Sequence, residues 1–243
     1  MRRFRRKHPT WGTRRLCDEL RPYFPTVTRR ILQRVLWEAH GRRPPPRRAP
    51  RPRQAIPVGR HRVQMDIQQL PAITGGGYMY KISVIHLRTR LKYSEFHRNH
   101  RSRTVAEVLQ RAQDQLPPFR LVWTDNAYEF TLRFSAHPER RTTFQQRVMA
   151  RDLVHGTCRP RSPWQNGIIE RSHRTDNAEC FRVVRFVDDE DRRYQHRLYE
   201  MKYNTRRPHQ GLNGETPFAV YQREYPLHAT TRMLGAPPVN MAR

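Results

Sequence analysis

The sequence predicts an α/β fold, a mixed sheet with helices packed against it, and three observations carry that reading. Residues 62–68 alternate, with Val63, Met65 and Ile67 on one side and Gln64, Asp66 and Gln68 on the other, the period of a half-buried strand. A Gly75-Gly76-Gly77 turn then leads into two further strands, 78–87 and 91–97, which read as a hairpin. A helical stretch over 102–116 runs into another strand at 119–124. Hairpin, helix and strand in that order imply strands of both directions with helices laid on them.

The remaining elements follow the same logic. Residues 12–22 and 27–39 have helical character and are joined by Tyr23-Phe24-Pro25-Thr26, with Leu16, Leu20, Ile31, Val35 and Leu36 available for a small shared core. This is a candidate helix-turn-helix, and Arg29, Arg30 and Arg34 on its second helix are placed to meet phosphates or base edges. The run from Gly41 to Pro57 is rich in Pro and Arg and reads as an extended linker. Past the fourth strand, 139–152 reads as helix, 153–159 as strand and 162–181 as a helix. Ser162, Pro163 and Gln165 suit the cap, first position and capping-box partner of that last helix. A later helix from about Asp189 to Tyr203, capped by Asp188, carries Tyr194, Leu198 and Met201 on one face. Thr216-Pro217 begins another short helix. The expected organisation is a helix-turn-helix-like segment at 1–40, a linker at 41–60, a core at 61–186 and a helical extension and tail at 187–243.

Three acids stand where such a fold exposes chemistry. Asp66 lies on the polar side of the first strand. Asp125 falls where the apolar run Leu121-Val122-Trp123 ends, and strand ends are where open α/β sheets place their ligands. Glu170 is expected about two turns inside the 162–181 helix. Three carboxylates brought together repel unless cations neutralise them, and oxygen ligands suit Mg²⁺ or Mn²⁺ far better than zinc. Two such ions can stabilise both the attacking and the leaving oxygen of an in-line phosphoryl displacement.

The wording around these acids is more specific than the acids themselves. The segments TDNAYEF (124–130), SPWQNGIIERSHRT (162–175) and YNTRRPHQGLNGETP (203–217) resemble the catalytic domain of bacterial insertion-sequence transposases of the D-D-E class, which also includes retroviral integrases. HPTWGTRRLCDELR (8–21) is similar to the helix-turn-helix region preceding that domain. The resemblance implies a ribonuclease-H-like fold, a mixed five-stranded sheet flanked by helices. It also implies a catalytic and metal-binding triad of Asp66, Asp125 and Glu170 holding two Mg2+ (or Mn2+) ions. Double-stranded DNA, both transposon ends and target, is the implied partner, and a homo-multimer on DNA the implied assembly. Asn166, Arg171, His173 and Arg174 around Glu170, with Arg206 and Arg207 of the tail motif, are the expected DNA contacts. Val84-Ile85-His86-Leu87 and Ala127 depart from the family's usual residues without removing a triad acid. The interval between Asp125 and Glu170 is longer than usual, which implies an insertion around 131–143. The chain begins close to the HPTWG motif, where the family leads one to expect a further DNA-binding module, so a truncated copy is an expectation too. Two alternatives stay open beside a transposase: a catalytically inactive DNA-binding remnant, and a nuclease with the same core but no strand transfer.

Composition supports the same partner independently. Lys and Arg number 48 against 21 Asp and Glu, a net charge of +27, which is the balance of a polyanion binder. Only Lys7, Lys81, Lys92 and Lys202 are lysines, so the charge is almost entirely guanidinium, suited to bidentate phosphate contact. Mean hydropathy of −0.97 argues against a membrane protein, and no apolar run approaches the roughly 18 residues that span a bilayer. The basic start lacks the apolar stretch of a signal peptide, so a cytoplasmic location is expected. Cys17, Cys158 and Cys180 have no C-x-x-C spacing and give no zinc motif.

Overall fold

The computed structural model describes residues 8, 11–40, 58–160 and 162–229. The 41–57 part of the expected linker and residues 230–243 of the expected tail lie outside the described residues. Two N-terminal helices, α1 (Thr13–Leu20) and α2 (Arg29–His40), precede strands β1 (Arg62–Leu70), β2 (Met79–His86) and β3 (Lys92–His97). Helix α3 (Ser102–Gln115), strand β4 (Leu121–Thr124), helix α4 (Thr143–Met149) and strand β5 (Val154–Thr157) follow. A 3₁₀ turn (Pro163–Asn166) then runs directly into helix α5 (Gly167–Asp176) and a π turn (Asn177–Phe181). Helix α6 (Asp189–Thr205), a 3₁₀ turn (Gln210–Leu212) and helix α7 (Pro217–Glu224) complete the order.

The five strands form one sheet in the order β3-β2-β1-β4-β5. β2 is antiparallel to both β1 and β3, whereas β4 and β5 run parallel to β1, so the expected mixed sheet is observed. In the register Asp66 faces Ser83 and Gln68 faces Lys81. Val63 and Met65, with Ile82 and Val84 from β2, point to the face covered by Val105, Val108, Leu109 and Ala112 of α3. Phe130, Phe144 and Val148 close that core on one side, and Tyr221 and Tyr225 join the same cluster. α4 is shorter than the 139–152 expectation because its capping box forms at Thr142 and Gln145. Residues 131–141, within the expected insertion, carry turns rather than regular structure.

The opposite face of the sheet carries the polar residues of the β1 alternation, Gln64, Asp66 and Gln68. It is covered by α5, and polar side chains make that interface. Gln64 is buried, its amide donating to the Gln165 carbonyl at 2.7 Å and its Oε1 accepting from the Ile169 N–H at 3.0 Å. Gln68 donates to Asn177 Oδ1 at 3.0 Å. Lys81 from β2 and Lys92 from β3, both fully buried, donate to the two carboxylate oxygens of Asp176 at the end of α5, each at 2.5 Å. Burial alone would raise the Asp176 carboxyl, but the two ammonium groups overcome it and hold it well below the usual carboxylate range.

Two further expectations change. In the N-terminal pair Ile31 is exposed, and Leu32 with Leu36 faces Leu16 and Leu20 instead, joined by Trp11, Cys17 and Val27. A helix starting at Arg29 turns Leu32 and Leu36, four residues apart, onto one stripe. On α6 the apolar residues Tyr194, Leu198 and Met201 are exposed, while Arg192, His196 and Tyr203 are buried. The buried face is polar because it meets the acids and cations beside Asp176 and the loop carbonyls of Pro71 and Gly77, to which Arg192 donates. Asp188 and Thr216 cap their helices as expected, accepting from Asp191 N and Ala219 N. No described helix is long and apolar enough to cross a membrane.

Candidate active site

Asp66 stands mid-strand on β1, and its Oδ1 accepts from the Ile67 N–H at 2.9 Å. Asp125 follows the last residue of β4, with Oδ1 accepting from the Ala127 N–H at 3.1 Å. The chain beyond β4 is fixed locally: Thr124 Oγ1 donates to the Asp125 carbonyl and lies 2.8 Å from His155 Nε2. Asn126 Nδ2 donates to the Cys158 carbonyl at 2.8 Å, and Trp123 Nε1 lies 3.2 Å from Cys158 Sγ. Gly156 makes room for Trp123, since a Cβ there would meet the indole at 2.5 Å.

Glu170 does not lie two turns into its helix. Ser162 makes no side-chain cap, and Gln165 Oε1 accepts from the Arg159 N–H at 2.8 Å rather than closing a capping box. The α-helix therefore starts only at Gly167, after a 3₁₀ turn, and puts Glu170 in its first turn. That position is favourable for an anion, because the helix N-terminus carries partial positive charge.

The three acids meet electrostatically. Burial, then the charge of Asp125 and more weakly that of Glu170, pushes the Asp66 carboxyl up to about 7. Burial also raises Asp125. The Cys158 thiol, raised to about 11 by burial, lies close enough to feel all three carboxylates. A set of hard oxygen donors, one of which feels the charge of the other two, fits a divalent cation such as Mg²⁺. Among the described residues no three His, Cys, Asp or Glu are already drawn together as a metal cage. The acids are thus within reach of one another's charge without being closed around a point.

The expected DNA contacts divide into two groups. Arg171, Arg174 and Arg206 are exposed, as are Arg29, Arg30 and Arg34, which line an open concavity on α2 with Gln33 and Trp37. Asn166 and His173 are buried instead, and Arg207 is half-buried and ion-paired. Asn166 is buried where the 3₁₀ turn passes into α5. His173 is buried, its Nδ1 3.5 Å from Asp66 Oδ2, and burial with the charge of Lys81 keeps its ring neutral. Arg207 makes a two-pronged bond to Glu179, which also pairs with Arg15 of α1. Asp66, a neutral imidazole and the Lys81-Asp176-Lys92 cluster thus all lie in the polar interior between the sheet and α5.

Sequence reasoning missed Gln64, the contact between His173 and Asp66, and the Asp176 anchor. Gln64 and Gln68 did leave a signal, because they share a strand face with Asp66. A face reading Gln-x-Asp-x-Gln is as suited to docking a polar helix as to facing water.

Residues 152–217 match the family model described as an integrase core domain. No curated protein matches the chain significantly. Among solved structures, the simian T-cell lymphotropic virus intasome in complex with a PP2A regulatory subunit aligns at 14% identity and a TM-score of 0.51. The alignment covers 84% of this chain and 73% of that one. The catalytic core domain of BIV integrase aligns at 18% identity over 68% of this chain and 96% of that one, with a TM-score of 0.46. The HTLV-2 integrase catalytic core domain in complex with magnesium aligns at 13% identity over 66% and 95%, with a TM-score of 0.45. The strand order and the intasome alignment agree on the fold, a ribonuclease-H-like five-stranded mixed sheet flanked by helices, and within it residues 152–217 are similar to an integrase core domain.

Proposed function

We propose that the protein is a DNA transposase of the D-D-E class, cutting the 3′ ends of an insertion sequence and joining them to target DNA by in-line phosphoryl transfer. What supports the reading is that Asp66, Asp125 and Glu170 come from three separate elements and that the charges of Asp125 and Glu170 both reach Asp66. In this reading the three carboxylates hold two Mg²⁺ or Mn²⁺ ions. When bound, such ions supply the charge neutralisation and acidified water that phosphodiester cleavage needs. Water attacks the phosphodiester at the element end and frees a 3′-hydroxyl. That hydroxyl attacks a phosphodiester of target DNA and displaces a target 3′-hydroxyl, so the strands are joined directly and no covalent protein intermediate forms.

The remaining residues position the parts. His173, neutral and packed on Asp66, fixes the orientation of that carboxylate, and Gln64 and Asp176 fix the helix that carries Glu170. Exposed Arg171, Arg174 and Arg206 hold the DNA backbone near the acids, and Arg29, Arg30 and Arg34 extend the contact along α2. Two element ends must be joined together, so the working form is a homo-multimer on DNA. The test is Mg²⁺-dependent strand transfer on duplex oligonucleotides carrying the ends of the host element, with Asp125→Asn and Glu170→Gln alongside. Joined products from the native protein and none from either variant are expected. Retained transfer by Asp125→Asn sinks the assignment, binding without cleavage indicates a DNA-binding remnant, and cleavage without joining indicates a nuclease.

A further inference from the structure

A cavity of about 270 Å³ lies beside α5, bounded by the helix residues Gly167, Arg171 and Thr175, the β2–β3 turn at Arg90 and the tail residues 207–211. Among the described residues no carboxylate lines it. Glu179, at the neighbouring depression, is already engaged by Arg15 and Arg207.

Arg90 is the unusual member. Its Nη1 is buried with no hydrogen-bond partner, and among the described residues its guanidinium meets no acid within ion-pair distance. Its backbone is left-handed, at φ 62°, a conformation a long side chain adopts at a cost. Arg90 as a whole is half-buried, and a cation drawn even partly out of water ordinarily has an anionic partner, because removing a charge from water without one is expensive. His209, nine-tenths buried on the same wall, also leaves its Nε2 without a partner. Burial and the surrounding Arg207, Lys92, Arg15 and Arg90 push its ring down to about 2, so it is neutral and carries a single N–H. The unpartnered Arg90 Nη1, the unpartnered His209 Nε2 and the Arg171 guanidinium therefore face one cavity whose apolar walls, Ile85, Ile168 and Pro208, strengthen any charge interaction within it.

We propose that this cavity is a phosphate-binding site, in which the Arg90 guanidinium, supported by Arg171 and His209, accepts one phosphate group. The planar fork of Arg90 suits paired phosphate oxygens. The phosphate can belong to a DNA strand or be free in solution. The site lies among residues that the proposed acids do not use.

The first probe is inorganic phosphate, read as thermal midpoint at constant ionic strength against chloride. At ten times the half-saturating concentration the native protein is expected to gain about 3–6 °C. Arg90→Asn removes the guanidinium while suiting the left-handed backbone, and should lose that gain without losing its fold. Gly211→Asp is the second variant, since a Cβ there lies 3.7 Å from Arg90 Nε and so brings a carboxylate to the guanidinium. It should be more stable than native in chloride and indifferent to phosphate. No phosphate-specific gain in the native protein, or an equal gain in Arg90→Asn, overturns the site. Duplex DNA then identifies the source. A salt dependence of binding shallower by about one in Arg90→Asn assigns a DNA phosphate, and an unchanged slope with the phosphate gain still lost assigns free phosphate. Asp125→Asn should keep the phosphate response, so failure of the transposase reading and failure of this site are told apart.

Discussion

Replacing Asp176 by Asn removes one negative charge and leaves two buried ammonium groups facing a neutral amide. Asp176, Lys81 and Lys92 are all fully shielded from solvent, and each carboxylate oxygen is taken by one lysine. Breaking a buried ion pair by removing one partner costs about 3–5 kcal/mol, because the stranded charge keeps its desolvation penalty. For a chain of this size that corresponds to a fall in Tm of roughly 6–20 °C. Folding depresses the Asp176 carboxyl, so its stabilising contribution is present above the unfolded value near pH 4 and is lost as pH falls through the folded value. Chemical denaturation of native and Asp176→Asn protein at pH 7.5 measures the gap, and repetition below about pH 4 should narrow it. Replacing the whole cluster, Lys81→Met with Lys92→Met and Asp176→Leu, should recover much of the loss. A cost under about 1 kcal/mol for Asp176→Asn at pH 7.5 would show that the cluster does not hold α5 to the sheet, and the positioning assigned to it would fall.

Asp66 has the opposite sign. Its folded value is pushed up to about 7, so without cations its contribution is full below about pH 4 and disappears as pH rises to 7. Asp66→Asn should therefore raise the Tm of cation-free protein at pH 8 and not at pH 4. Mg²⁺ should raise the Tm of native protein at pH 8 more than that of the variant, and equal Mg²⁺ responses would remove Asp66 from the ion-binding set. Thr142→Ala deletes the capping-box acceptor of α4 and should cost about 1 kcal/mol by urea titration, an effect within 0.2 kcal/mol counting against the cap.

Much of the architecture was legible because it follows from periodicity. The alternation at Val63, Met65 and Ile67 gave β1, and the apolar run ending at Asp125 gave the end of β4 and the place of the second acid. What escaped depends on contacts distant in sequence. Ser162 and Gln165 have the residue types of a capping box, yet Gln165 is recruited by the Arg159 backbone, so a 3₁₀ turn forms and Glu170 moves to the first turn of its helix. The inward turn of His173 and Arg207 could not be read locally, since Asp66 and Glu179 that receive them lie far along the chain. α6 misled for a physical reason: its buried side answers to a polar interior, so apolar spacing at Tyr194, Leu198 and Met201 marked the wrong face.

The lysines gain a meaning that composition alone concealed. In a chain whose cationic side chains are almost all arginine, two of its four lysines share a single carboxylate inside the protein. Two flat guanidinium forks converging on one carboxylate would crowd each other, whereas two slim stems with point charges can each take one oxygen. Where arginine is the default cation, a lysine marks a place in which steric room rather than charge decides the residue, so Lys81→Arg and Lys92→Arg are not the mild exchanges that their chemistry suggests.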